Sequence, residues 1–352
     1  MLIAITAFLG VLMVLVVAHE LGHFITAKLA RVRVIEFGLF FPPRLFGIRR
    51  GETLYSLNAI PLGGFTKMAG EEDPKVPGSL ASKSIGTRLG VLTAGPLVNL
   101  LLPLLLFSIA FLVPHDLVTG QVLVEEIAPN SPAARAGIES GDTLLQVNGK
   151  PINNFVDLHR HIQLNLGKET TMLVKHSDST TEQVQVTPRW KPPEGEGAMG
   201  IRISMLNPTA VRQYYPFWQT IPTGVSEYIE TFVLFKNGII SMIIGTAPVA
   251  VTGPVGIAQI TGEVAKAGIS PLLEFAAFIS INLGIINLFP LPALDGGRIV
   301  FVLLEWVRRG RRVSPKTEGM IHTIGFILLL GVILVISYQD IIRIISGESL
   351  IP

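Results

Sequence analysis

Leu2 to Ala18 is an uncharged run, and His19-Glu20-Leu21-Gly22-His23 follows it without a break. As a helix, such a segment reaches most of the way across a hydrocarbon core of ~30 Å. The chain therefore opens with a membrane span that ends in three ionisable side chains. Residues four apart share one helix face, so both imidazoles can reach one metal ion. Glu20, beside the first of them, is placed to act as general base on a metal-activated water. Ionisable groups at membrane depth are costly and point to function by default. The blander reading is a helix end with polar residues at the membrane boundary.

Composition agrees with a membrane protein. Of 352 residues, 49% are hydrophobic and 15% charged, a balance typical of integral membrane chains. A net charge of +2 gives no reason to expect nucleic acid as a partner. With no cysteine, disulfides, thiolate zinc sites and cysteine nucleophiles are excluded. Any metal must be held by histidine and carboxylate. The first apolar run has no basic leader and carries the His-Glu-His cluster at its end, unlike a cleaved signal peptide.

Four segments are long enough to span: about Leu2 to Leu29, Gly90 to Val113, Leu272 to Leu294 and Met320 to Ile345. Arg31, Arg33, Arg44, Arg49, Arg50, Lys67, Lys75, Lys83 and Arg88 lie between the first two, and Arg308, Arg309, Arg311, Arg312 and Lys316 between the last two. The positive-inside rule puts both loops in the cytoplasm, with both termini and the long middle segment outside.

The first loop has a hairpin pattern, with strands over Val32–Phe41, Leu45–Ile48 and Thr53–Leu57 and a turn at Arg49–Glu52. Pro61-Leu62-Gly63-Gly64-Phe65 then reads as an apolar turn. Two readings stand, a re-entrant hairpin beside the site or a surface hairpin; irregular backbone at membrane depth must line a cavity or be buried in protein. In the second span, Gly95-Pro96 can free backbone carbonyls and Asn99 can hydrogen-bond between helices, for packing or for catalysis.

From Gly120 to Ile203 the character changes. Short strands at Gln121–Ile127, Thr143–Val147, Thr171–His176 and Gln183–Pro188 alternate with turns, and a helix is expected near Asn154–Leu166. With Ser131-Pro132-Ala133-Ala134-Arg135-Ala136-Gly137-Ile138 and Gly141-Asp142-Thr143-Leu144-Leu145-Gln146-Val147-Asn148-Gly149, this stretch resembles a PDZ domain of the circularly permuted, bacterial kind. The resemblance implies that Met199, Gly200 and Ile201 open a peptide-binding strand placed last. Its ligand would be an extended peptide such as a newly generated C-terminus; a domain that only filters by size is the alternative. His159 and His161, on the expected helix, read as surface residues. Tyr214 to Ile244 reads as a linker and an amphipathic helix with Phe217, Trp218, Tyr228, Phe232 and Phe235 at headgroup level. Gly253–Ile257 reads as a tight turn, and His322, near the start of the fourth span, as a boundary residue.

The third span carries Asn287-Leu288-Phe289-Pro290-Leu291-Pro292-Ala293-Leu294-Asp295-Gly296-Gly297-Arg298. Two prolines two apart must break or kink its helix. A carboxylate after the break supplies the third position that two histidines leave open in a catalytic zinc site. At 1.5 Å per residue, His19 lies roughly 25 Å along the first span and Asp295 roughly 30 Å along the third, both near the cytoplasmic side. A helix cap or a partner for Arg298 are the other readings of Asp295.

HExxH in the first span, Asn287-x-x-Pro290-x-Pro292-x-Leu294-Asp295-Gly296 in the third and a PDZ-like domain between them resemble the site-2 protease family, most closely its single-PDZ bacterial branch. The resemblance covers nearly the whole chain. It implies a polytopic α-helical membrane protein with about four spans, a membrane-associated β-hairpin region and an inserted extracytoplasmic PDZ domain of α+β type. The divisions are 1–113, 114–205, 206–270 and 271–352. It implies Zn2+ held by His19, His23 and Asp295, with Glu20 as base and Asn287 aiding substrate or oxyanion binding. Gly63, Gly64, Phe65, Asn99, Pro290 and Pro292 would meet the substrate. The activity implied is peptide-bond hydrolysis within single-span membrane proteins of a bacterial cell membrane, for example anti-sigma factors or remnant signal peptides. A PDZ scaffold without enzymatic activity and a metal transporter are the rivals. The first leaves the His-Glu-His and Asp295 unexplained, and the second needs ligands along the depth rather than at one level.

Overall fold

The computed structural model describes residues 2–246 and 252–346; residues 247–251 of the expected linker and 347–352 of the last division lie outside this range. The chain divides into two compact units, 1–110 with 251–352, and 111–250.

In the first unit, α1 (Leu2–Leu29), α2 (Ile85–Leu112), α7 (Ile269–Leu288) and α9 (Pro315–Ser346) are long and apolar enough to cross a membrane. They match the four expected spans: polar flanking turns extend α2 and α9 at their starts, and α7 stops at Leu288, short of the expected Leu294, ahead of Pro290 and Pro292. α6 (Pro254–Ala267) and α8 (Asp295–Val307) are helices that the sequence reading lacked. The expected tight turn at Gly253–Ile257 is instead the start of α6. Gly253 is its N-cap and Pro254 its first residue, a position where the missing amide hydrogen costs nothing. Asp340 on α9 accepts from the amides of Gly253 and Gly256, both at 2.9 Å, and so satisfies two of the donors left over at that helix start.

β1 (Val34–Arg50) and β2 (Thr53–Met68) form one antiparallel sheet. Both strands bend, so the register describes four segments. Residues 44–50 pair with 53–58, 54–57 also pair with 36–39, and 64–68 pair with 34–39 on the other side. Pro61–Phe65 therefore belongs to a strand and is not the apolar turn expected: Gly64 pairs with Leu39 and Phe65 with Gly38. An edge position tolerates Pro61. A Cβ on Gly64 would lie 2.8 Å from Val16 Cγ1 and 3.2 Å from Glu20 Cγ, so glycine lets this edge press on α1. Ala27, Val32, Val34, Met68, Leu80 and Leu92 form the buried core that joins helix and sheet.

The second unit contains β3 (His115–Ile127), α3 (Pro132–Arg135), β4 (Thr143–Val147), β5 (Lys150–Pro151), α4 (Phe155–Leu164), β6 (Thr170–Lys175), β7 (Thr181–Val186), β8 (Ile201–Gln213) and α5 (Phe217–Ile243). The sheet order is β7-β6-β4-β3-β8, with β5 beside β4, so the last strand is an edge. Its core includes Val122, Val124, Leu144, Leu158, Met172 and Val174. β3 and β8 run past the expected boundaries, pairing as far as His115 with Gln213. Ser131 and Asn154 cap α3 and α4 with their side chains. His161, expected at the surface, is buried, with Nε2 3.4 Å from the Pro151 carbonyl, while His159 is exposed. α5 docks on α4 through Arg160 with Glu227 and Glu230, and through Asn237, which donates to the Gln163 carbonyl at 2.6 Å.

Candidate metal centre

α1 has no proline and only one glycine beside the His-Glu-His cluster, so His19 and His23 stack one turn apart on a regular helix. α7 stops at Leu288, the residues 289–294 make a loop, and Asp295 begins α8. A Cβ on Gly296 or Gly297 would overlap carbonyls of Phe289 and Leu291, so two glycines let the new helix fold back on its own loop. That fold brings Asp295 Oδ2 to 3.1 Å from His19 Nε2 and 3.2 Å from His23 Nε2, with the two Nε2 atoms 3.2 Å apart. Their side chains are 12%, 6% and 19% exposed, for His19, His23 and Asp295, so water gives them little shielding. Among the described residues this is the one group of histidines and carboxylates with a metal-ligand arrangement.

Hydrogen bonding sets the roles of the ring nitrogens. His23 Nδ1 lies 2.8 Å from the Val91 carbonyl, which can only accept, so Nδ1 carries the proton and Nε2 offers a lone pair. Asn99, expected at the substrate, is instead buried behind His19, its amide 3.3 Å from Nδ1, and it does not line the site cavity. The Asn99 amide nitrogen is the atom that faces Nδ1, while Oδ1 is buried without a partner among the described residues. His23 Nε2 then aims a lone pair at a carboxylate oxygen, an arrangement that repels unless a cation sits between. Ligands about 2.0–2.2 Å from one tetrahedral zinc lie about 3.3 Å apart. The three observed separations fit such an ion.

A cavity of about 620 Å³ opens on this cluster. Glu20 lines it, as do Gly64, Phe65 and Thr66 of the β2 edge, so two of the three expected hairpin residues and their neighbour share the cavity with Glu20. Gly63 does not line it, nor do Asn287, Pro290 and Pro292. Asn287 is half-buried on the last turn of α7, and Pro290 is exposed in the loop. Acidic residues that the sequence reading passed over, Glu71, Glu72 and Asp73, line the same cavity. Arg298, a rival partner for Asp295, pairs with Glu71 instead. Burial pushes the Glu72 carboxyl above the ordinary range, with Glu71 adding to the rise and Arg298 opposing it. The capping reading of Asp295 is not met either, since Leu294 is the N-cap residue and makes no side-chain cap.

The sequence profile of peptidase family M50 matches residues 7–332. The chain belongs to this family, the site-2 proteases. This M50 peptidase is 36% identical over 344 residues to a protein of Clostridium acetobutylicum whose name places it among zinc metalloproteases, covering 97% of this chain and 96% of the relative. It is 30% identical to the zinc metalloprotease RasP of Geobacillus kaustophilus, covering 96% and 97%. To the regulator of sigma-W protease RasP of Bacillus subtilis it is 26% identical, covering 96% and 98%. The M50 chain is thus a multi-pass membrane protein and a site-2-type metalloprotease with a zinc cofactor.

Met199, Gly200 and Ile201 lie in the second unit. Gly200 has φ +71°, where glycine is favoured, and a Cβ there would overlap Ser131. A groove of about 370 Å³ runs between α4 and the start of β8, lined by Met199 and Ile201.

Proposed function

We propose that this M50 peptidase hydrolyses peptide bonds in the membrane-spanning segments of single-span proteins. The observation that carries the reading is the convergence of His19, His23 and Asp295 on one point beside Glu20. On this reading the three side chains are the zinc ligands, and their hydrogen bonds to Val91 and Asn99 fix both rings. When bound, the zinc supplies Lewis acidity toward water and the scissile carbonyl. Glu20 takes the proton of the attacking water and returns it to the leaving amine, so that hydroxyl ends on carbon and hydrogen on nitrogen. Asn287 enters as an aid to substrate or oxyanion binding on the motif alone.

A helical amide is internally bonded, so the substrate must be extended to be cut. The edge segment 64–68 is paired to β1 on one side and lines the cavity, which supports capture of the substrate as an added strand. The β1–β2 sheet is then membrane-associated, and arginine-rich loops put the cavity mouth on the cytoplasmic side with the termini outside.

For the second unit we propose an extracytoplasmic, circularly permuted PDZ domain. Its edge strand β8, helix α4 and intervening groove support that reading. It screens substrate ectodomains, admitting those already trimmed. The sigma-W name of the Bacillus relative favours membrane-anchored regulators as substrates in a bacterial cell membrane.

The test is cleavage of a single-span substrate in proteoliposomes by wild type and Glu20→Gln, with bound zinc measured in both. Cleavage by wild type alone, with zinc retained by both, is expected, the loss being at least about 100-fold. Zinc bound without cleavage of a broad substrate panel would move the assignment to metal transport, and absence of zinc to a scaffold.

A further inference from the structure

The loop of residues 289–294 carries Asp295 to the imidazoles and has few ways to hold its own shape. Pro290 and Pro292 have no amide hydrogen. The amides of Phe289, Leu291 and Leu294 donate to Ile286, Phe289 and Leu291, at 3.0, 2.7 and 3.3 Å, all within the loop or the end of α7. Ala293 is different. Its amide leaves the loop and donates to Nδ1 of His322 on α9, at 3.0 Å. Ala293 also has φ +75°, a left-handed conformation that a residue with a Cβ keeps only when its surroundings impose it. Asp295 is two residues further on.

α9 meets the loop again three residues along. A Cβ on Gly325 would overlap Pro292, so the helix backbone rests directly on the loop. The His322 ring also packs against Phe301 of α8, with centroids 5.5 Å apart. An amide can only donate, so Nδ1 accepts and the ring proton is on Nε2, which is buried without a partner among the described residues. A buried donor left unsatisfied is costly, and the ring accepts that cost in the orientation that serves Ala293.

We infer that His322 is a positioning residue for the metal centre. Through the Ala293 amide it fixes the strained turn before Asp295, and so keeps Oδ2 within 3.1 to 3.2 Å of both imidazoles. The role needs an acceptor lone pair and no charge. It rests on the ligand assignment proposed above.

His322→Phe keeps the ring shape and removes the acceptor, while His322→Asn offers an oxygen close to where Nδ1 stands. Zinc affinity of the purified full chain is measured by competition with a chromophoric chelator, with Asp295→Asn alongside. His322→Phe is expected to weaken zinc binding about 10-fold or more, the usual scale for losing a group that orients a ligand, and His322→Asn to recover most of it. Wild-type affinity in His322→Phe would overturn the role, and so would equal losses in both variants, since filling space would then be all the ring does. If Asp295→Asn binds zinc as wild type does, the ligand assignment itself falls. Should His322→Phe not elute as folded protein, His322→Leu takes its place in the same comparison.

Discussion

Gly95 shows how much a single hydrogen can decide. A Cβ at this position would overlap His23 Nε2 and come within 2.8 Å of His19 Nε2. Across the same contact, a Cβ on Gly22 would lie 2.6 Å from the Ala94 carbonyl oxygen. α1 and α2 therefore close on each other where the ring nitrogens converge. Gly95→Ala is expected to lower zinc affinity by about 100-fold or more, exceeding the effect of losing an orienting partner, and to abolish cleavage. Gly90→Ala, on the same helix with nothing within 4 Å of its Cβ, should leave both unchanged. Equal zinc binding by the two variants would show that the rings can move aside. HExxH was legible in the sequence because its chemistry belongs to the side chains and their spacing. The roles of Gly95 and Asn99 depend on which helix lies opposite, and local sequence does not record that.

At the scale of elements, the edge of β2 makes the sharpest claim. Amides of an antiparallel strand point alternately toward the partner and away from it, so prolines at Phe65 and Thr66 remove one amide of each kind. One of the two variants is expected to keep its zinc and lose cleavage roughly tenfold, the cost of about one hydrogen bond to substrate. Cleavage at wild-type rates by both would show that substrate is held elsewhere. The strands on either side of the Arg49–Glu52 turn were legible from their β-branched and aromatic residues. Pro61–Phe65 misled because proline and glycine signal a turn locally, whereas here they suit an edge strand pressed onto α1. α6 and α8 were hidden for a related reason. Gly253-Pro254 and Asp295-Gly296-Gly297 look like breaks, yet a proline in the first turn and an acidic residue there are also how helices begin.

At the scale of the whole molecule, the order of segments was legible and the meeting of distant ones was not. Four apolar runs and a change of character between them gave the division into a membrane part and an inserted domain. The pairing of β3 with β8 out to His115 and Gln213 carries the end of that domain past the expected 205, while its start stays at the expected 114. A deletion that tests the filter should therefore remove 115–213, since removing 120–203 would leave the outer rungs of the ladder, residues 115–119 paired with 209–213, attached to the membrane part. The shortened protein is expected to cut full-length substrate that the wild type ignores until its ectodomain has been trimmed. Unchanged selectivity in proteoliposomes would reject the filter.

The converging atoms of His23 and Asp295 stand 272 positions apart, and the histidine that braces their loop comes later still. A ribosome adding ~5–20 residues per second needs roughly a quarter-minute to a minute to travel from one to the other. Throughout that time the growing chain carries the His-Glu-His cluster without the carboxylate that meets it in the finished fold. The meeting of His19, His23 and Asp295 is thus an event of the last part of synthesis, closed by residues from the far end of the chain.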